Sequence, residues 1–333
     1  MLENTSTRKA AHVPEPYYRP KSSRCPPGCD LTRKPWDQDT TASTIMGLIC
    51  WKSVPMLRAS HLAHLPDRLT TMTTRRKILL ATMAFLLLLA TAFLVMLMRN
   101  RSFYDAPPDS LGGGVMRVDS DLKIAVIGDS WASGQKLDQP LADALKQLGT
   151  EAEVASFGHS GGKTMHILRD LCEDPAARAL MEDVEIDGYV LLAGVNDSKG
   201  HDGPDYYSHH ITQIIRIMQS HGAFVVVAQV PEYGLAEIEA PSMVYWSKRQ
   251  ASRYLFDDGK ADNRPAYRDR LAEVAGQFDR MALVSNSEIP SYHDSPELWR
   301  DPAHLNPQGY ESMAEPIARE VHKLYARLRP PEP

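Results

Sequence analysis

The chain has 333 residues, 43% apolar and 24% charged, enough for more than one domain of ordinary size and for a sizeable core. With 20 Gly, 24 Pro and only 4 Cys it is neither collagen-like nor a disulfide-stapled miniprotein, and its apolar content excludes wholesale disorder. The net charge of −5 is unevenly spread: residues 1–77 carry 13 Lys and Arg against 6 Asp and Glu, residues 78–98 carry none, and residues 99–333 carry 24 against 36. A nucleic-acid binder concentrates positive charge on its folded domain, so nucleic acid is not an expected partner.

Residues 1–71 contain eight prolines, scattered charge and no sustained periodicity. Residues 1–74 therefore read as a disordered cytoplasmic tail or as the product of a mis-called start, because Met72 opens MTTRRK immediately before an apolar run. Cys25 and Cys29 have no second pair nearby, and no zinc site is expected there.

From Ile78 to Met98 run 21 residues without a charge. At 1.5 Å per residue such a helix is about 32 Å long, enough to cross a bilayer core. Residues 75–98 are thus expected to be a single transmembrane signal-anchor. Ala90-Thr91-Ala92 has the form of a signal-peptidase site, which keeps a cleaved signal as the competing reading, while the six apolar residues after it favour a retained anchor. The charge split puts the basic segment on the cytoplasmic side and the acidic domain on the periplasmic or extracytoplasmic side.

Residues 99–120, rich in Pro, Gly and Ser, read as a linker to a domain over 121–333. Within that domain strands are expected at Leu122–Ile127, Glu151–Phe157, Gly188–Ala193, Ala223–Val230 and Met281–Ser285. Helices are expected at Leu141–Leu148, Met165–Leu171, Tyr206–His221, Arg264–Phe278 and Pro307–Leu328. Runs such as AFVVVAQV are continuously apolar, as parallel strands covered on both faces must be. The alternation predicts an α/β fold of three layers, α/β/α, around a five-stranded parallel sheet. Residues 232–263, with Tyr233, Tyr245, Trp246, Tyr254 and Phe256, fit no strand–helix unit.

In such sheets the site lies beyond the carboxyl ends of the strands, and four segments fall there. In Gly128-Asp129-Ser130, the glycine is expected to allow a tight turn that sets Ser130 at a helix N-terminus, as a candidate nucleophile or as a mere cap. Ser156-Phe157-Gly158-His159-Ser160-Gly161-Gly162-Lys163-Thr164 ends like a phosphate loop, but Phe157 stands where that motif needs its first glycine, so the glycines better serve a backbone N–H approaching a reacting oxygen. Asn196, after the third strand, offers a neutral N–H₂ donor, or is a loop Asn bonding its own backbone. Asp301 and His304, three residues apart before the last helix, are expected on a helical turn that brings carboxylate and imidazole to one face.

Taken together and in this order, the four segments resemble the blocks of the SGNH (GDSL-type) hydrolases, and the likeness runs from about Leu122 to the C-terminus. The resemblance implies a flavodoxin-like sheet and a serine esterase. It implies Ser130 as nucleophile, Asp301 and His304 as its partners, and an oxyanion hole from the N–H groups of Ser130 and Gly161 and the amide of Asn196. No cofactor or metal is implied. Trp131 replaces the usual Leu after the serine, a change to the site wall but not to the chemistry. Ser156 stands where the second block often opens with Asn, which loosens the choice of Gly161 over Gly158 or Gly162. The substrate implied is an ester-bearing small molecule or an O-acylated, chiefly O-acetylated, envelope or exported polysaccharide. An O-acyltransferase with the same triad and a silent glycan-binding envelope protein are the alternatives.

Overall fold

The computed structural model describes residues 73–99, 101, 103–111, 122–182 and 186–329. The expectations placed on residues 1–72, the cysteine pair and Met72 included, lie outside the described residues. The chain divides into two units, residues 1–79 and 80–333.

Helix α1, Thr74–Arg99, is long and apolar enough to cross a membrane by length and composition, and its apolar window is not buried in protein. After it, part of the stretch expected as a linker is tied down. Tyr104 N–H donates to Nε2 of His210 at 3.1 Å, and Ala106 N–H donates to Oε1 of Gln213 at 2.6 Å. His210 can accept there because burial pushes its pKa down to about 4 and keeps the imidazole neutral, with Nδ1 left to donate to Tyr206 O.

Five parallel strands form one sheet: β1 (Leu122–Gly128), β2 (Ala152–Gly158), β3 (Gly188–Leu192), β4 (Phe224–Ala228) and β5 (Met281–Val284), in the order β2-β1-β3-β4-β5. Every residue of β3 and β4 is buried, whereas the edge strands β2 and β5 are mostly half-covered. That gradient is why the central strands are unbroken apolar runs; each such side chain taken from water contributes roughly 1.5–3 kcal/mol. Helices α2 (Asp138–Gln147), α3 (Thr164–Glu173), α4 (Pro175–Glu182), α5 (Val195–Gly200), α6 (Pro204–Ser220), α7 (Met243–Phe256), α8 (Arg264–Ala275) and α9 (Pro307–Leu328) connect and cover the strands. Pro307 at the first turn and Asn306, whose side chain accepts the Gly309 N–H at 2.9 Å, start α9. Tyr310, Met313, Ile317, Val321 and Leu324 then line its buried face at helical spacing.

Several elements depart from expectation, and α4 lies in a stretch where none was expected. Residues 232–263 do contain a helix, α7, capped by Ser242, whose hydroxyl accepts the Tyr245 N–H. Much of its apolar surface is exposed (Met243, Val244, Trp246, Leu255), so the inward-facing stripe that announces a helix in sequence is missing. Asn196 lies in the short helix α5 instead of a loop. Asp301 and His304 sit on a two-stranded antiparallel ribbon, β6 (Trp299–Asp301) and β7 (His304–Leu305), and not on a helical turn. Pro302 disfavours helical backbone at the residue before it, and Asp301 accordingly stays extended.

Candidate active site

The strand order reverses between β1 and β3, and the segments leaving the carboxyl ends of β1, β2 and β3 meet at that crevice. Gly128 ends β1 for a reason other than turn freedom: a Cβ there would sit 2.2 Å from Leu192 O on β3. The chain then makes a single turn in which the N–H groups of Ala132 and Ser133 both donate to Asp129 O at 3.2 Å. Gly134 and Gln135 follow at φ 76° and 57°, and this left-handed pair ends the turn before α2 begins at Asp138. Ser130 therefore stands on an isolated turn and not at the helix N-terminus expected. It is largely buried, and its backbone N–H has no protein acceptor among the described residues.

Across the crevice, Nε2 of His304 lies 3.0 Å from Ser130 Oγ. Nδ1 of the same ring lies 2.8 and 3.0 Å from the two carboxylate oxygens of Asp301. A proton on Nδ1 satisfies Asp301 and leaves Nε2 to accept from the serine hydroxyl, and no other tautomer of the neutral ring serves both contacts. Burial alone would raise the Asp301 pKa, but the Ala303 N–H at 2.9 Å, His304 and Arg300 outweigh it and hold the carboxyl below its usual range. It is thus an anion wherever the imidazole needs one.

Trp131 does more than line the site, where it stands with Asp129 and Leu192 around a small pocket. It is buried, and its indole N–H donates to Ala303 O at 2.9 Å, tying the serine turn to the Asp301–His304 ribbon. Its ring meets Trp299 and Tyr310 edge-to-face, with centroids 5.7 and 6.4 Å away. Nothing local in the sequence announces this bond, which joins positions 172 residues apart.

Asn196 donates its side-chain N–H₂ to Gly162 O at 3.0 Å and to Oδ2 of Asp129 at 3.2 Å. Both amide hydrogens are therefore engaged, and donation to a further oxygen requires sharing one of them. Asp129 is wholly buried, which raises its pKa to about 7 against the opposing pull of the Trp131 N–H. It thus links the serine turn to Asn196, a role that its place in Gly-Asp-Ser did not disclose. Beside it, burial and then the neighbouring Asp202 raise the pKa of Asp197 to about 6, while Thr164 donates both its hydroxyl (2.6 Å) and its N–H (3.0 Å) to that carboxyl and fixes the start of α3. Gly161 adopts φ 73°, and its N–H has no protein acceptor among the described residues. Gly158 is required elsewhere, since a Cβ on it would lie 2.3 Å from Ser133 N. Gly161 and Asn196 share the wall of a cleft of about 240 Å³. A larger cavity of about 610 Å³, beside Asp105, His209 and Arg270, involves none of these residues. Among the described residues no three His, Cys, Asp or Glu side chains converge as a metal ligand set.

Fold and site together have the form of an α/β hydrolytic enzyme. The sequence pattern of the GDSL-like lipase/acylhydrolase family matches residues 126–311. The chain belongs to that family and is an ester hydrolase of the SGNH type. No curated protein matches it closely. Among solved structures it is similar to a lipase/acylhydrolase from Enterococcus faecalis (17% identity, TM-score 0.45, covering 64% of this chain and all of the other). It is also similar to the acetyl xylan esterase AlAXEase (17%, 0.44, 60% and all) and to TesA (18%, 0.43, 61% and 99%). At these levels the substrates in those names belong to those proteins alone.

Proposed function

We propose that Ser130, His304 and Asp301 carry ester hydrolysis through a Ser130 acyl-enzyme. The single observation that carries this reading is the unbroken chain from Ser130 Oγ through both nitrogens of His304 to Asp301, at 3.0 and 2.8 Å. His304 Nε2 takes the hydroxyl proton as Oγ bonds to the ester carbonyl carbon. Asp301 stabilises the imidazolium so formed. The carbonyl oxygen becomes an oxyanion facing the free N–H groups of Ser130 and Gly161 and the amide of Asn196, which shares a hydrogen already directed at Asp129. As the tetrahedral carbon collapses, the alcohol oxygen leaves with the proton from His304. Water, deprotonated by the same nitrogen, then attacks the acyl-enzyme and frees the acid and Ser130.

The substrate proposed is an O-acyl, chiefly O-acetyl, ester on an envelope or exported polysaccharide. The cleft beside Gly161 and Asn196 supports this: it is small, and one tyrosine with glycines and charged or amide side chains line it, so it offers no aliphatic wall to a long acyl chain. Helix α1 is proposed as a retained single-pass anchor, with the hydrolase domain, residues 121–333, on the extracytoplasmic side; the basic charge before the helix supports that orientation.

The test is release of p-nitrophenol from acetate, butyrate and octanoate esters by the full-length chain in neutral detergent, with Ser130→Ala as control. Ser130-dependent release that declines from acetate to octanoate is expected. Hydrolysis equal in the Ser130→Ala protein would overturn the mechanism, and a preference for octanoate would overturn the substrate class.

A further inference from the structure

One cleft wall carries more positive charge than ester hydrolysis uses. Around Gly161 and Asn196 stand Lys163, Lys199, Lys248 and Arg249, drawn from three separate segments of a domain that is acidic as a whole. Lys163 is matched by Asp202, with Nζ 2.8 Å from Oδ1. Arg249 spends its N–H groups on two backbone carbonyls, Leu235 O and Ile238 O, which leaves its charge unmatched. Among the described residues neither Lys199 nor Lys248 has an ion-pair partner, though both are half-buried. Burial, and then the neighbouring cations Arg249 and Lys163, hold Lys199 below the usual lysine range against the pull of Asp129 and Asp301. Lys248 is held down by burial and Lys163. Lys163 alone has a carboxylate in direct contact, while Lys199 and Lys248 feel only the longer-range pull of Asp129 and Asp301 and of Asp202, so a ligand that brings negative charge into this concave, partly dry site offsets the cost of crowding the cations there.

We propose that Lys199 and Lys248, with Lys163 and Arg249 behind them, form a subsite for an anionic group on the substrate, a carboxylate on the sugar that bears the acyl ester. This rests on the esterase reading for the position of the scissile bond: the cations share a wall with Asn196 and Gly161, so the charge they bind lies within one sugar unit of the reacting carbonyl. The cleft favours a saccharide over a lipid headgroup on two grounds. Its volume of about 240 Å³ suits one ring. Its lining includes an aromatic side chain, Tyr245, of the kind that packs on sugar rings, while no aliphatic side chain lines it to receive the acyl chains that follow a headgroup. The lysine in Gly162-Lys163-Thr164 thereby acquires a use, in charge matching and not in a nucleotide loop.

The test uses the full-length Ser130→Ala protein in neutral detergent, so that binding is read without turnover. Calorimetric titration compares an O-acetylated methyl galacturonoside with the O-acetylated methyl galactoside, which differ only at C6, a carboxylate in the first and a neutral hydroxymethyl group in the second. The uronoside is expected to bind about tenfold more tightly at 50 mM salt, with the advantage shrinking at 500 mM. Adding Lys199→Gln and Lys248→Gln should remove the preference while thermal unfolding shows both proteins folded. Equal affinities, or a preference that survives the double substitution, would overturn the subsite. A preference for anionic phospholipid micelles over the uronoside would overturn the saccharide assignment. Loss of Ser130-dependent ester turnover in the parent protein would instead remove the esterase reading, and the binding comparison stands apart from it.

Discussion

Replacing Asn196 by Ala separates a catalytic donor from a structural strut. The amide supplies Gly162 O at 3.0 Å and Asp129 Oδ2 at 3.2 Å, both buried. Removing it leaves two acceptors unserved, roughly 1–3 kcal/mol each. At about 2–4 °C per kcal/mol for a domain of this size, thermal unfolding should fall by about 4–24 °C. If the amide also donates to the developing oxyanion, turnover falls a further ~10²–10³, about 2.7–4 kcal/mol of barrier. The two costs have different signatures, because oxyanion stabilisation exists only in the transition state. At a temperature well below the variant's own transition, kcat should drop by that factor while KM for p-nitrophenyl acetate stays within about threefold. Asn196→Asp is the companion: it keeps the volume but brings a third carboxyl beside Asp129 and offers no donor when ionised, so it should lose rate at least as severely. A folded Asn196→Ala protein retaining more than about a third of wild-type kcat would refute the assignment, leaving the amide as a brace between the serine turn and Gly162.

Other outcomes follow from the same geometry. Trp131→Phe keeps the aromatic packing but deletes the bond to Ala303 O, so unfolding should ease by about 1 kcal/mol; kcat should fall about tenfold as the ribbon carrying His304 loosens. Steady-state kinetics beside a thermal melt check this, and an unchanged kcat would show that the ribbon holds its own position. Asp129 is raised from an unfolded value near 3.8 to about 7 by burial, so between those limits the folded chain keeps a proton that the unfolded chain has released. Its contribution to stability is complete below about pH 4 and is lost as pH rises through 7; melts from pH 4 to 8 should show a decline that Asp129→Asn makes shallower. An equal slope in the variant would place the titration elsewhere. Gly128→Ala should prevent folding or cost upwards of about 3 kcal/mol, since its Cβ meets Leu192 O at 2.2 Å. Gly161→Ala, with open space but φ 73°, should cost only about 1–2 kcal/mol in a denaturant titration.

The sequence by itself determined the layers of this domain. Continuous apolar runs mark β1, β3 and β4 because those strands are covered on both faces, and period-3.6 stripes mark α6 and α9 because each buries one side. It also put the chemistry-bearing residues in chain order at strand ends, since Gly-Asp-Ser, the glycine-rich turn, Asn196 and Asp301-x-x-His304 each follow or precede a legible element. What it left undetermined depends on partners distant in the chain. Helix α7 was illegible because its apolar residues face outward, and the ribbon under His304 because two short strands carry no periodicity. The reason for Gly128 is a carbonyl on a strand 64 residues away, and that for Trp131 a carbonyl beyond residue 300. Asp129 as the brace of Asn196, and four cations gathered from three segments around one cleft, exist only once the sheet brings β1, β2 and β3 side by side. Local patterns record what a residue does to its own backbone and to solvent; the tertiary structure alone decides which buried acceptor meets which donor.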